Sequence, residues 1–246
     1  MSDQKVFVAS EESKAQAKQL RLFAILAWLI AMAGQVFAIL KLIHNETLVW
    51  LIVAIVVILA LAITGSTLWK KANRLDPASE KEPVKFFIQN QLGAILGVLA
   101  FLPLVILIFM NKEIDGKTKG IAGGIAVVAM LVAGISGIQF NPPSIEKYSK
   151  EISAQTDTLR TLNLGNDLVY WTPSGNKYHI YADCPHIKGH AGMSQGTVKE
   201  AWQKKGISEL CKTCEKRAMK ERNISPDSLG ILIQKSAALT DSTATQ

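Results

Sequence analysis

Long stretches without a charged side chain alternate with short polar ones through the first 140 residues. Four apolar runs, 22–40, 48–68, 86–110 and 121–140, contain no Asp, Glu, Lys or Arg. Each is near the ~20 residues of helix that cross a hydrocarbon core. A charge at a helix centre costs roughly 2.5–3.5 kcal/mol on insertion scales, so four charge-free runs in succession predict four transmembrane helices. Beyond them the pattern changes. After "NPPS", positions Ile145, Tyr148, Ile152, Gln155, Leu159 and Leu162 fall alternately three and four apart, which predicts an amphipathic connector helix. Its seam spans under three heptads and suits either an oligomerising coiled coil or a single helix packed on its neighbours. Gly165, Asn166 and Asp167 end it. "LVYW", a turn at 173–176 and "KYHIYA" predict a hairpin, and "TVKEAWQKKG" a short helix closed by Gly206.

The expected fold is therefore an α-helical membrane protein with four transmembrane helices, a short amphipathic connector helix and a small α+β module. Its segments are an N-terminal arm (1–21), a four-helix domain (22–140), the connector (141–167), the module (168–222) and a tail (223–246) expected to be disordered. About 20 mostly polar residues precede the first run and no small-residue cleavage pattern follows it, so it is expected to remain in the mature protein.

Charge orients the bundle. The chain carries 27 Lys+Arg against 20 Asp+Glu. Lys5, Lys14, Lys18 and Arg21 precede the first run, and Lys70, Lys71, Arg74, Lys81 and Lys85 follow the second. The opposite loops carry only Lys41, Lys112, Lys117 and Lys119. An excess of basic residues marks the cytoplasmic side, so both termini are expected there. Trp50 and Trp69 bracket the second run as interfacial indoles would. Within the runs only amides offer polarity: Gln35, and the cluster Gln89, Asn90 and Gln91. Interhelical hydrogen bonds are the expected use of these groups, and a polar cavity the alternative. "GAILG" at 93–97 and "GIAGG" at 120–124 place small residues four apart for close helix contact, within a chain or between chains. Pro103 is expected to kink the third helix.

The candidate chemistry is concentrated at the far end. All three cysteines, Cys184, Cys211 and Cys214, fall in the module with three of the four histidines. The two-residue gap of "CKTC" lets both sulfurs approach one ion, and an odd cysteine count in a reducing compartment favours metal ligation over disulfides. With His179 as fourth ligand the spacing is H-x4-C-x26-C-x2-C; His186 and His190 are the alternatives. Three sulfurs and one nitrogen suit a closed, structural Zn²⁺ site, one per chain. Redox C-x-x-C pairs normally follow a strand at a helix N-terminus, and "KKGISEL" before this pair argues for metal instead. With few apolar residues between 170 and 222, metal is expected to supply much of the module's folding free energy.

Thr172, Gly175, Lys177, Tyr178, His179, Cys184, Ala201, Gly206, Cys211 and Cys214 give this stretch a pattern that resembles the zinc module of Ada-type DNA-repair proteins and its relatives appended to bacterial nuclease-like and membrane proteins. The resemblance covers about 50 residues. It implies the scaffold and the zinc and says nothing about the four spans, whose expected location is a bacterial inner membrane. It also implies a departure, because the first of the family's four cysteines, which accepts the methyl group, is replaced by His179, and an imidazole cannot perform that thiolate chemistry.

Between 170 and 222 ten Lys or Arg face five Asp or Glu, a basic balance that could meet an anionic lipid leaflet, a protein partner or nucleic acid. Trp171, Tyr178, Tyr181 and Trp202 could stack on bases or lie at the interface, but a module this small is expected to need them as core. No nucleophile–base–acid set, phosphate loop or paired carboxylate is present, and no enzymatic activity is expected. The expected function is a docking, assembly or regulatory element on a membrane protein. The alternatives are an oligomeric transporter or pore capped by the module, and membrane-tethered nucleic-acid binding; a homo-oligomer is possible in the first two.

Overall fold

The computed structural model describes residues 7–225 and 227–232. They are mostly helical and divide into two compact units. One comprises Lys14–Pro143; the other joins the N-terminal segment through Ser13 to the chain from Ser144 onward.

The first unit contains the four apolar runs as four segments long and apolar enough to cross a membrane. Helix α1 (Glu11–Lys41) begins well before its apolar run, so residues 11–21 are helical. A 3₁₀ turn, Asn45–Thr47, leads into α2 (Leu48–Leu75). The third run divides into α3 (Pro83–Leu99) and α4 (Leu102–Met110), and α5 (Gly116–Gly137) completes the unit. Asp115 caps α5, its carboxylate accepting from Thr118 N at 2.6 Å.

Small residues occupy the inside of this unit and large apolar ones the outside. Ala24, Ala31 and Ala38 on α1 and Ala122, Ala126 and Ala133 on α5 are fully buried, whereas Phe23, Ile30, Phe37, Trp50, Val57, Phe87, Phe109 and Val128 are exposed. That arrangement is costly in water and ordinary in lipid, where helices associate through close packing of small side chains. The 93–97 glycine pattern works within the chain. A Cβ on Gly137 would lie 2.3 Å from Ala94 N, and one on Gly97 2.8 Å from Ala133 O, so α3 and α5 approach backbone to backbone. The second pattern differs: Gly120 and Gly124 face open space, and Gly123 lies beneath the Phe109 ring.

Pro103 does more than bend its helix. It sits in the first turn of α4, and the chain stops and restarts at Ala100 and Phe101. Phe101 N turns to Val98 O at 3.0 Å, and Phe101 O accepts from Val105 N at 2.9 Å. Because the first turn of a helix has no partner for its N–H groups, proline is best accommodated by a new start there.

Of the amides expected to bond between helices Gln89 does so, whereas Asn90 Nδ2 donates to Phe86 O of its own helix and buried Gln35 Nε2 has no partner among the described residues. Trp69 Nε1 and Asn73 Nδ2 both donate to Gln89 O at 2.7 Å, Asn73 also donates to Gln139 Oε1 at 3.2 Å, and Gln89 Nε2 donates to Asp76 O at 2.9 Å. Trp69, expected at an interface, bonds into the interior and lies against Trp28 at 5.5 Å between ring centroids.

In the second unit α6 (Ile145–Leu162) starts at Ser144, whose hydroxyl accepts from Lys147 N at 2.9 Å. It is followed by β1 (Leu168–Trp171), β2 (Lys177–Tyr178), β3 (Ser194–Thr197), α7 (Val198–Lys205), β4 (Glu209–Leu210) and α8 (Lys212–Glu221). The expected hairpin contracts to one bridge between Tyr170 and His179. Strand β1 pairs antiparallel with β3, while β2 pairs parallel with β4. Helix α7 conforms to expectation: Thr197 and Glu200 form a capping box, and Gly206 closes it at φ 64°.

The seam of α6 is spent inside the chain. Ile152, Leu159 and Leu162 are buried in a core with Trp171, Tyr178, Val198, Trp202 and Ile207, and Ile145 and Tyr148 pack at its edge. Gln155 Oε1 accepts from both Tyr178 Oη and Trp202 Nε1 at 3.1 Å. This core is richer than the stretch 170–222 suggests, because α6 and the N-terminal segment complete it. Phe7 packs its ring edge-on against Tyr148 at 5.2 Å and donates its N–H to Ser149 Oγ at 2.8 Å. The Ser10 and Ser13 hydroxyls donate to Gln203 O at 2.8 and 2.6 Å. Residues 7–13, expected as part of the N-terminal arm, therefore pack with the module. Residues 227–232 are helical with Leu229 buried, contrary to the disorder expected from 223 onward; the rest of the tail lies outside the described residues.

Candidate metal centre

Four segments deliver one ligand atom each. His179 follows β2 and is fixed by paired backbone bonds to Tyr170, at 2.7 and 2.8 Å. Cys184 begins a tight turn, its carbonyl accepting from Ile187 N and Lys188 N at 2.9 and 2.8 Å. Cys211 donates its N–H to Tyr178 O at 2.9 Å, which sets it beside β2 and makes it the N-cap of α8. Cys214 lies one turn on, so the helix aims both sulfurs of "CKTC" the same way.

The four ligand atoms all lie within 4.8 Å of one another, and His179 Nδ1 is 3.7 Å from Cys214 Sγ. All four residues are buried, none more than 5% exposed. This group can hold a metal ion. His186 and His190 are exposed and stand outside it. His186 meets Thr213 Oγ1 at 3.0 Å, its ring 6.5 Å from that of His179.

Electrostatics favours a neutral histidine and a reluctant Cys214 thiol. Burial first, then the charge of His186, lowers the pKa of His179. Burial pushes the Cys214 thiol up to about 12. At Cys211 burial acts in the same direction, but N–H groups of Cys214 and Thr213 and the thiol of Cys184 outweigh it and bring the pKa below its usual value. A cation is the group that relieves this crowding of buried sulfur, because it stabilises the thiolates that burial disfavours.

Outside the cluster, Arg217 clamps the Cys184 turn to α8. It bonds Asp183 through Nη1 at 2.9 and 3.0 Å, gives Nε to Glu221 at 2.9 Å, and lies over the Tyr181 ring at 4.1 Å. Sequence spacing carried no sign of this clamp, since Arg217 and Asp183 are 34 residues apart. Trp171, Tyr178 and Trp202 are buried, so these rings are not free to stack on bases.

One expectation is overturned. "CKTC" does follow a strand, β4, and does open a helix, so local context does not separate it from a redox pair. The third sulfur and the imidazole beside it make that distinction. No family model, curated protein or solved structure matches this chain.

Proposed function

We propose that this chain is a non-enzymatic, four-span membrane protein with both termini in the cytoplasm, whose C-terminal module holds one structural Zn²⁺ and serves as a docking or assembly element. The observation that carries the proposal is the convergence of three cysteine sulfurs and one imidazole nitrogen in a buried cluster. Tetrahedral zinc with sulfurs at ~2.3 Å spaces them ~3.8 Å apart, and the spread of the four donor atoms suits that arrangement. Four protein ligands close the coordination shell and leave no position for a nucleophilic water, so the ion holds the Cys184 turn, β2 and α8 together and supplies no reaction.

Two observations support the placement. The apolar exterior of residues 14–143 calls for lipid around it. The N-terminal segment through Ser13 belongs to the same compact unit as the module, as an even number of crossings requires. The resemblance of the sequence to Ada-type modules implies the scaffold and the zinc; with His179 in place of a cysteine, alkyl transfer is not part of the proposal. Burial of Trp171, Tyr178 and Trp202 weighs against nucleic acid as the partner.

The test is topological. Cysteines introduced as Glu46→Cys and Ser79→Cys are treated with a membrane-impermeant maleimide in intact cells. Glu46→Cys is expected to be labelled and Ser79→Cys protected; the reverse pattern would sink the orientation and place the thiols outside the cytoplasm.

A further inference from the structure

Metal binding accounts for His179, Cys184, Cys211 and Cys214 and leaves a cavity beside them unexplained. The cavity has a volume of about 370 Å³, and Thr172, Asn176, Lys177, His186, Lys212 and Thr213 line it along with His179 and Cys211. These side chains come from the turn before β2, the Cys184 turn and the start of α8. Two are ammonium groups, two are hydroxyls, one is an amide and one an imidazole, and among the described residues no carboxylate lines the space. Lys177 also keeps an ion pair with Glu209 at 3.0 Å.

Thr172 is the most informative of them. The residue is only 6% exposed, and its hydroxyl lies beside Gly175 on the cavity wall. Gly175 leaves it room, since a Cβ there would lie 2.6 Å from Thr172 Oγ1. The lining thus offers two hydroxyls, two ammonium groups, an amide and an imidazole, a set of donors that matches a tetrahedral oxyanion better than a planar carboxylate, which presents two oxygens.

We propose that this cavity binds a phosphate group, carried by a lipid headgroup or by a soluble phosphate ester, with Lys177 and Lys212 as the charged contacts and Thr172 and Thr213 as neutral donors. The inference rests on the docking role proposed above and gives it a ligand chemistry. The cavity is within the range of small-molecule sites and admits the phosphate together with part of the group it esterifies.

The experiment uses the full-length, zinc-loaded protein in phosphatidylcholine nanodiscs, titrated with inorganic phosphate and followed by ³¹P line broadening, with zinc measured on every sample. Saturable binding is expected. Lys177→Gln with Lys212→Gln is expected to weaken it at least about tenfold, as loss of charge-assisted bonds does, with zinc retained. Thr172→Val, which keeps both charges and every metal ligand, is expected to weaken it several-fold and is the deciding variant if the double substitution loses zinc. Failure of the wild type to saturate overturns the inference, and so does unchanged affinity in Thr172→Val and the double variant. Zinc present without phosphate binding refutes this inference alone, whereas a wild type without zinc refutes the metal reading. The carrier is then decided by doping the nanodiscs with phosphatidic acid: displacement of inorganic phosphate assigns the lipid headgroup, and undiminished phosphate binding assigns a soluble ester.

Discussion

Gly137 has no freedom to be anything larger, because its missing Cβ is where the backbone of Ala94 and Gly93 passes. Gly137→Val is expected to part α3 from α5 and lower stability by at least about 1–3 kcal/mol, the range for overpacking. Gly120→Val, facing open space, is expected to change it by less than about 0.5 kcal/mol. Thermal denaturation of both variants in detergent checks the contrast. At the metal centre the folded pKa of His179 is lowered by burial and by His186. The stability that neutral imidazole contributes is then fully present above its ordinary pKa of about 6.5 and is lost as pH falls through that value and on through the folded one. Zinc release on acidification, followed with a chromogenic chelator, is expected to begin only below about pH 6.5; release already under way at neutral pH would contradict it. The three cysteines were legible because their number and the gap in "CKTC" admit few other uses. The choice among His179, His186 and His190 was not legible from spacing, since it depends on the backbone bridge to Tyr170 that fixes one ring over the sulfurs.

Among the elements, those with the strongest sequence signal were the long ones. Charge-free runs identified the helices of residues 14–143, though not their ends, because capping and polar turns set helix limits while hydropathy marks only the part that suits lipid. Strands β2 and β4 are two residues each, too short for any alternation to show, and β1 takes as its partner β3, whose four residues Ser-Gln-Gly-Thr carry no apolar alternation. The period of α6 was clear and its partner was not. Its apolar stripe faces the core of its own unit, so Ile152→Asp or Leu159→Asp is expected to collapse the module, as a charge buried without a partner does. Loss of zinc from the purified variants would register that collapse. Full zinc retention accompanied by a halved mass in detergent would instead restore the coiled-coil reading.

For the whole molecule, the division into two units sets what metal removal should do. The module has an aromatic core assembled from α6, α7, β1 and the N-terminal segment, so chelation is expected to lower its melting temperature and loosen the Cys184 turn and α8 without erasing every element. The helices of residues 14–143 satisfy their own backbone bonds and are expected to keep their circular dichroism. Concurrent loss of both signals would contradict this independence. The central claim, that one closed metal site organises the module, is tested most directly by zinc-to-protein stoichiometry on the wild type, His179→Ala, His186→Ala and Cys214→Ser. One zinc per chain is expected in the wild type and in His186→Ala, with less than about a tenth of that in Cys214→Ser and His179→Ala, because removing a ligand from a closed tetrahedral site leaves the ion short of its shell. Full occupancy in His179→Ala, or two zincs per wild-type chain, would contradict the account.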